Sequence, residues 1–508
     1  MSFKATTAGA LSTFPKPLPL SSFAPFFSAA RAKRPYHLSS FLKQQAWTPS
    51  PSSAAASTKE PLSAVIPKSS ELTSASLEPP KNKLVILGTG WAGFRALRDI
   101  DTNLYHVNVI SPRNHFLFTP LLTATTVGTL EFRGVIEPVR AAARQVNYVQ
   151  AYCTGIDPEN KQVHFESAYD WKDSEETASY RPKATMRYDK LVVAVGSVPN
   201  TFGIPGVEKY CFFLRELEHA RKIRQRIIEC FERASSRMTS EEEQRRLLHF
   251  VVVGGGPTSV EFTAELYDFL KQDVHKWFPD LEDKVVVTLL EASNQILGSF
   301  DQKLSQYTMR LFQKRKIDLR TGVTVKEVRR HEFVLANGDT IPFGLAVWST
   351  GVAPSPLVRS LASPPFKKHT SGRLMIDEKL RVVGTNGPLD DVYAAGDDAT
   401  FENQPLPPTA QVAEQQGKYL AYALNEIAKG KQPRDFRYKH RGMLAYIGGK
   451  QALVDNPILK KIGFGTGFGS WLFWNGAYLT KLVSLRNKIM IPLYWFKSFV
   501  FGRDISRF

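Results

Sequence analysis

The chain has 508 residues, 43% hydrophobic and 22% charged. That is an ordinary globular balance, which excludes wholesale disorder, a collagen and a polytopic membrane protein, and at ~150 residues per domain it leaves room for about three domains. The net charge of +18 calls for an anionic partner: nucleic acid, an anionic membrane or a phosphate-rich ligand.

The first acidic residue is Glu60; before it stand Lys4, Lys16, Arg31, Lys33, Arg34, Lys43 and Lys59 among Ser, Ala and Pro. A basic, Ser-rich, acid-free leader without a secretory apolar core predicts an organellar transit peptide. Residues 1–60 are expected to be transit peptide and linker, and residues 61–81 further linker. Composition alone does not separate mitochondrion from chloroplast.

Order begins at Asn82. The apolar run Lys83–Leu87 predicts a buried parallel strand. Gly88-Thr89-Gly90-Trp91-Ala92-Gly93 follows at once, then a helical stretch and a second strand, His106–Ile110. In this G-x-G-x-x-G turn Gly88 permits the tight turn, Gly90 lets the backbone approach a pyrophosphate, and Gly93 lets the helix pack on the strand. The second strand ends at Ser111, where a ribose-binding acid is usual; Ser111 can hydrogen-bond a ribose and Arg113 can contact phosphate or adenine.

The pattern returns at His249–Val253, with the turn Gly254-Gly255-Gly256-Pro257-Thr258-Ser259, a helix, and a strand over 285–290 ending at Glu291. Ser259 replaces the third glycine but is small enough for close packing. Glu291 accepts two ribose hydroxyls and repels a 2′-phosphate, favouring NADH over NADPH. Between the units, 212–249 reads as a solvated helical segment. A later strand closes on Gly396-Asp397, where Asp397 suits a ribityl hydroxyl beside a pyrophosphate. Two dinucleotide sites predict hydride relay between a nicotinamide and a flavin.

With these residues in view, the chain resembles the type II (alternative, rotenone-insensitive) NAD(P)H:quinone dehydrogenases, and more narrowly the internal A-type enzymes of plant mitochondria. The resemblance runs over residues 82–508. It rests on Gly88–Gly93, Ser111-Pro112-Arg113-Asn114-His115-Phe116-Leu117-Phe118-Thr119-Pro120-Leu121-Leu122, Gly254–Glu261, Ala394–Asp397 and Pro407–Ala413. Ser111 in place of the acid is usual in that family. The resemblance implies an α/β chain with two Rossmann-like dinucleotide-binding domains, similar to glutathione reductase, and an amphipathic membrane-anchoring C-terminal region. It implies a divided FAD domain (82–215 and 346–430), an NADH domain (216–345) and an anchoring region (431–508). FAD is the implied cofactor, NADH the co-substrate and ubiquinone the acceptor. Gln411 and Gln415 match glutamines near the quinone and isoalloxazine. Glu414, between them, is implied at the quinone site too, where some relatives carry His for proton relay. Glu261 matches a glutamate near the nicotinamide. A helix starting near Thr409 would aim its positive end at the flavin.

No cysteine pair follows the first unit, which excludes disulfide-reductase chemistry; Cys153, Cys211 and Cys230 read as buried small residues. No EF-hand loop and no other metal motif occurs, so the chain is expected to be calcium-independent and internal. The tail carries Leu482, Leu485, Ile489, Leu493, Phe496 and Val500 at helical spacing, with Lys481, Arg486, Lys488 and Lys497 free for headgroups. That predicts a monotopic anchor on an anionic membrane, kinked or divided at Pro492. No nucleic-acid motif accompanies the charge. Expected location is the matrix face of the mitochondrial inner membrane, with a homodimer implied by the family. Ser506-Arg507-Phe508 faintly resembles a peroxisomal signal. The alternatives are a soluble FAD-dependent reductase of another acceptor and a flavin- and NADH-sensing interaction protein.

Overall fold

The structure, a computed structural model, describes residues 81–506 apart from 144, 173–178, 363 and 462–464. The expected transit peptide, the linker as far as Pro80, and Arg507 and Phe508 lie outside the described residues.

The first βαβ unit is β1 (Asn82–Leu87), α1 (Trp91–Asp99) and β2 (Tyr105–Ser111). Leu84–Leu87 are fully buried, as an apolar run without alternation requires of a central strand. Next come β3 (Asn147–Asp157), β4 (Gln162–Ser167), β5 (Lys183–Arg187) and β6 (Lys190–Val193). The chain then builds a second unit: β7 (Phe212–Phe213), α2 (Leu217–Ser235), β8 (His249–Val253), α3 (Pro257–Phe269), β9 (Val286–Glu291), β10 (Asp318–Thr321) and β11 (Leu345–Trp348). It returns to the first sheet with β12 (Arg381–Gly384) and β13 (Gly387–Ala394).

The first sheet has the order β12-β13-β6-β1-β2-β3-β4-β5 and the second β7-β11-β8-β9-β10. The five central strands of the first sheet and all pairs of the second are parallel. The strand ends are therefore aligned: Leu87 registers with Ile110 and Val193, and Val253 with Leu290 and Trp348. Ligands of such sheets bind beyond those carboxyl ends. The two crossings between the domains, Ser197–Pro199 and Val352–Pro354, pair antiparallel.

The segment expected to be solvated over 212–249 is half buried instead. One face of α2 sets Ala220, Ile223, Ile227 and Phe231 into the core, and Phe231 meets Phe250 edge-on at 5.7 Å. Its charges hid an amphipathic stripe.

After α4 (Ala410–Ala428) come the hairpin β14 (Met443–Gly448) and β15 (Gln451–Asp455), then α5 (Phe468–Lys481) and α6 (Leu485–Phe501). Pro492 lies inside α6 and does not divide it; the break falls at 482–484, where Ser484 Oγ caps α6 by accepting from Asn487 N at 3.2 Å. Leu482, expected on the membrane-facing stripe, is buried in the core. Lys481 and Lys497, expected to be free, pair with Glu414 at 2.9 Å and Glu131 at 3.0 Å. Both acids come from distant sequence, which no local pattern reveals. No helix of the described residues is long and apolar enough to cross a membrane.

Candidate active site

Both glycine turns are shaped to receive a dinucleotide. At the first, Gly88 has φ +97°, and a Cβ there would lie 2.3 Å from the Ala194 carbonyl oxygen; one on Gly93 would lie 2.1 Å from the Gly88 oxygen. A Cβ on Gly90 would meet nothing nearer than Arg113 Nη2 at 3.8 Å. Trp91 opens α1 with no side-chain cap and no acid in its first turn, so the helix presents free N–H groups to an anion. Ala92 is buried against the opposing helix, where a Cβ on Gly417 of α4 would meet the Ala92 oxygen at 2.2 Å.

The expected ribose contact is arranged differently. The Ser111 hydroxyl is buried, 3.0 Å from Thr89 Oγ1, and accepts from Arg113 N at 3.3 Å. Thr89 thus braces the turn from within. Arg113 reaches across to Glu216 at 2.8 Å.

At the second turn Gly254 has φ +113° and a Cβ there would lie 2.6 Å from the Ser349 oxygen, while Gly256 faces open space. Pro257 and Thr258 are exposed at the start of α3, which again lacks a side-chain cap. Ser259 is buried and donates to the Ser349 carbonyl at 3.1 Å. Glu291 accepts from Gly255 N and from Ser293 N, the latter at 2.7 Å. The carboxylate therefore sits directly on the glycine turn, at the end of β9.

The Gly396-Asp397 turn meets α1 and α4: a Cβ on Gly396 would lie 3.7 Å from that of Ala92 and 3.6 Å from that of Ala413. Asp397 accepts from Ser197 Oγ at 2.6 Å and pairs with Arg215 at 2.7 Å. Next to it Asp398 is fully buried and accepts from Gly196 N at 2.7 Å. Burial, then the adjacent Asp397 charge, push its carboxyl well above the usual range. Buried Gln416 accepts from Gly396 N at 2.7 Å. Asp398, Gln416 and Arg215 escape sequence reasoning, although two of them adjoin residues it selects.

Thr409 caps α4. Gln411 donates to Gly442 O at 3.1 Å and accepts from Arg441 N at 2.6 Å. Gln415 donates to Lys439 O at 2.9 Å and accepts from Lys439 N at 3.0 Å. The two glutamines thus fasten the segment 439–442 to α4. Glu414 gathers three cations: Lys481 at 2.9 Å, Arg95 at 3.6 Å and Arg441 at 3.7 Å.

That same segment leads into β14, where Tyr446 N donates to Glu261 at 3.1 Å. Glu261 is buried, and burial first, then the neighbouring Glu265, raise its carboxyl to about 8 against the pull of that hydrogen bond. From α5, Tyr478 packs on Trp474 at 4.8 Å and edge-on to Phe118 at 6.0 Å. Phe118 and Phe116 in turn flank Trp91 at 5.4 and 5.0 Å. The aromatic run after Ser111 therefore joins the first glycine turn to the tail. Cys153, Cys211 and Cys230 lie on β3, before β7 and on α2, away from both turns; burial raises all three thiols.

The geometry is that of a two-dinucleotide oxidoreductase, and the comparisons narrow it. The pyridine nucleotide-disulphide oxidoreductase model matches residues 82–417, and the NDH2 C-terminal domain model matches 440–504. The chain belongs to the type II NADH dehydrogenase (NDH2) family. A probable NADH dehydrogenase of Dictyostelium discoideum is 46% identical, with 84% of this chain and 91% of that one aligned. The mitochondrial internal alternative NAD(P)H-ubiquinone oxidoreductase A1 of Solanum tuberosum is 44% identical over 85% of this chain and 89% of its own. The structure of Plasmodium falciparum NDH2 in complex with NADH superposes with a TM-score of 0.77, at 29% identity, covering 84% of this chain and all of that one. The NDH2 C-terminal match coincides with β14, β15, α5 and α6, the elements that close the site.

Proposed function

We propose that the chain is a mitochondrial alternative NADH:ubiquinone oxidoreductase that works at the membrane surface and pumps no protons. One observation carries this: two glycine turns, each open at its middle glycine and each leading into an uncapped helix, stand on two parallel sheets of one chain. The first turn, with Arg113 and Asp397, would hold FAD; the second, with Glu291, would hold NADH. FAD supplies the hydride acceptor and electron donor that side chains lack. The protein supplies position and field. Gln411 and Gln415 fix the wall of the quinone site by anchoring 439–442, and Glu261 faces the nicotinamide side as a protonated acid.

The tail supports a monotopic seat on the membrane. Leu485, Ile489, Leu493, Phe496 and Phe499 are all more than half exposed on α6, with exposed Arg486 and Lys488 beside them. Such a face suits the matrix side of the inner membrane with its anionic lipid. A homodimer and calcium independence complete the reading; the latter rests on the missing EF-hand motif.

The test is quinone-dependent oxidation of NADH and NADPH by the liposome-bound protein, with and without calcium. Fast, NADH-preferring, calcium-independent turnover is expected. Flavin reduced by NADH without onward transfer to quinone would overturn the reading in favour of a reductase of another acceptor.

A further inference from the structure

Helix α3 carries a stripe of buried acids, of which the proposed function uses only Glu261. Glu261, Glu265 and Asp268 repeat at four and three residues and share one face. A π-helical turn over Leu270–Val274 follows, and its extra residue returns Asp273 to that face. All four are at least nine-tenths buried. Four carboxylates in one interior are costly unless paired or protonated.

Among the described residues, the ion pairs of this stripe run to one residue, Arg503, at the end of the tail. Arg503 is itself buried and pairs with Asp273 at 2.7 Å and with Glu265 at 4.0 Å. Its backbone N donates to Asp273 Oδ1 at 2.8 Å, and its Nε donates to Thr129 Oγ1 at 2.9 Å. Thr129 passes its own hydrogen to Glu265 Oε2 at 2.8 Å. The close approach needs Gly502, whose φ is +80° and whose Cβ, if present, would lie 2.9 Å from Asp273 Oδ1. Arg224 fixes the next residue by donating to Asp504 O at 3.0 Å.

We propose that Arg503 is a positioning residue: docked here, it favours the ionised form of Glu265, and that charge favours the protonated form of Glu261, one helical turn closer to the second glycine turn. The tail thereby sets the charge state of the site as well as seating the protein. This rests on the functional reading above. The other groups facing the pair are few. Glu261 faces Tyr446 N from β14 and Tyr478 from α5; Glu265 faces Thr129 and Asp268, and Asp268 accepts from the Tyr446 hydroxyl at 2.5 Å. Burial outweighs the pull of Arg503 and leaves the Glu265 carboxyl raised to about 7; Glu265 in turn pushes Glu261 up, by less than the Tyr446 hydrogen bond draws it down.

The sign is therefore testable. Removing the cation lets Glu265 keep its proton, which relieves Glu261 and moves its titration to lower pH. Arg503→Met and Glu265→Gln should act alike, shifting the alkaline limb of quinone-dependent turnover down by on the order of one pH unit. Arg503→Lys should restore it. Infrared difference spectra across a pH titration, on liposome-bound holoenzyme, should show the buried carboxylic acid band of Glu261 lost at lower pH in both. Glu265→Gln keeps the Thr129 hydrogen bond and the Arg503–Asp273 pair, so it decides the matter if Arg503→Met does not fold. An unmoved limb and band in Glu265→Gln overturn the proposal. A wild-type protein that oxidises NADH without reducing quinone overturns the functional reading instead, and the infrared titration still decides the charge linkage.

Discussion

Glu414 Oε2 lies 2.9 Å from Lys481 Nζ, tying α4 to the last residue of α5. Arg95 and Arg441 complete a ring of three cations around this carboxylate. The Lys481 side chain is 40% exposed and that of Glu414 19%, so neutralising the acid should cost little. Glu414→Gln is expected to lower stability by no more than ~1 kcal/mol. Glu414→Lys places four cations together and should loosen the tail. Limited proteolysis would show faster cleavage after α5 in the lysine variant than in the glutamine variant; equal rates would remove the ring from the account of tail docking.

The first glycine turn tolerates no added carbon at its third position. In Gly93→Ala the new methyl meets the Gly88 carbonyl oxygen at 2.1 Å, so α1 must move off β1. A cost of ~1–3 kcal/mol follows from overpacking of this kind. The variant should purify with little bound flavin and a lowered Tm, both read from flavin absorbance and a thermal melt. Full flavin content would show that the turn can shift without losing its ligand.

Glu291 holds the second turn through Gly255 N and carries the charge expected to reject a 2′-phosphate. Glu291→Gln keeps an acceptor for that N–H and removes the charge. The ratio of kcat/KM for NADH over NADPH should fall by on the order of tenfold, ~1.4 kcal/mol. An unchanged ratio sinks the specificity argument.

Glu261 makes stability depend on pH. Burial pushes its carboxyl up to about 8 in the folded chain, against 4.5 for an ordinary glutamate. Between these pH values the folded protein holds a proton that the unfolded chain has released, so stability falls as pH rises and levels off above 8. Glu261→Gln lacks this penalty. Its Tm should match the wild type near pH 4 and exceed it increasingly up to pH 9. Parallel Tm curves would place the burial penalty elsewhere.

The exposed face of α6 predicts the seat on the membrane. A Phe buried in lipid is worth ~1.5–3 kcal/mol, so Phe496→Ser with Phe499→Ser should weaken binding to anionic vesicles at least ~100-fold. Reduction of a water-soluble quinone should persist. Undiminished vesicle binding would move the anchor to another surface.

What the sequence discloses here is local. Strand, glycine turn and helix follow one another without a break in the chain, so Gly88–Gly93 and Gly254–Ser259 declare themselves through backbone constraints that only those residues meet. The tail stripe is visible for the same reason. Pairings across the fold are not: Lys481 with Glu414 and Arg503 with Asp273 join residues far apart in the chain, and a lysine in a helix shows nothing of the acid it will meet. Glu265 and Asp268 are likewise met from far along the chain, by Arg503 and by Tyr446. Pro492 illustrates the converse, since a strong local breaker is overridden once the surrounding helix packs on the core. Ser111 stands between the two cases: its position was legible, but the inward turn of its hydroxyl depends on Thr89.

The antiparallel pair Ser197–Pro199 and Val352–Pro354 places the two ends of the second domain side by side. Val198 faces Ala353 across one strand spacing, ~4.8 Å. A two-residue turn bridges such a gap, so the whole intervening stretch has the topology of a cassette set into a single hairpin. Nothing need be threaded to put it in or take it out. The host sheet stays uninterrupted, because β6 and β13 pair directly, with the whole stretch lying between them in sequence.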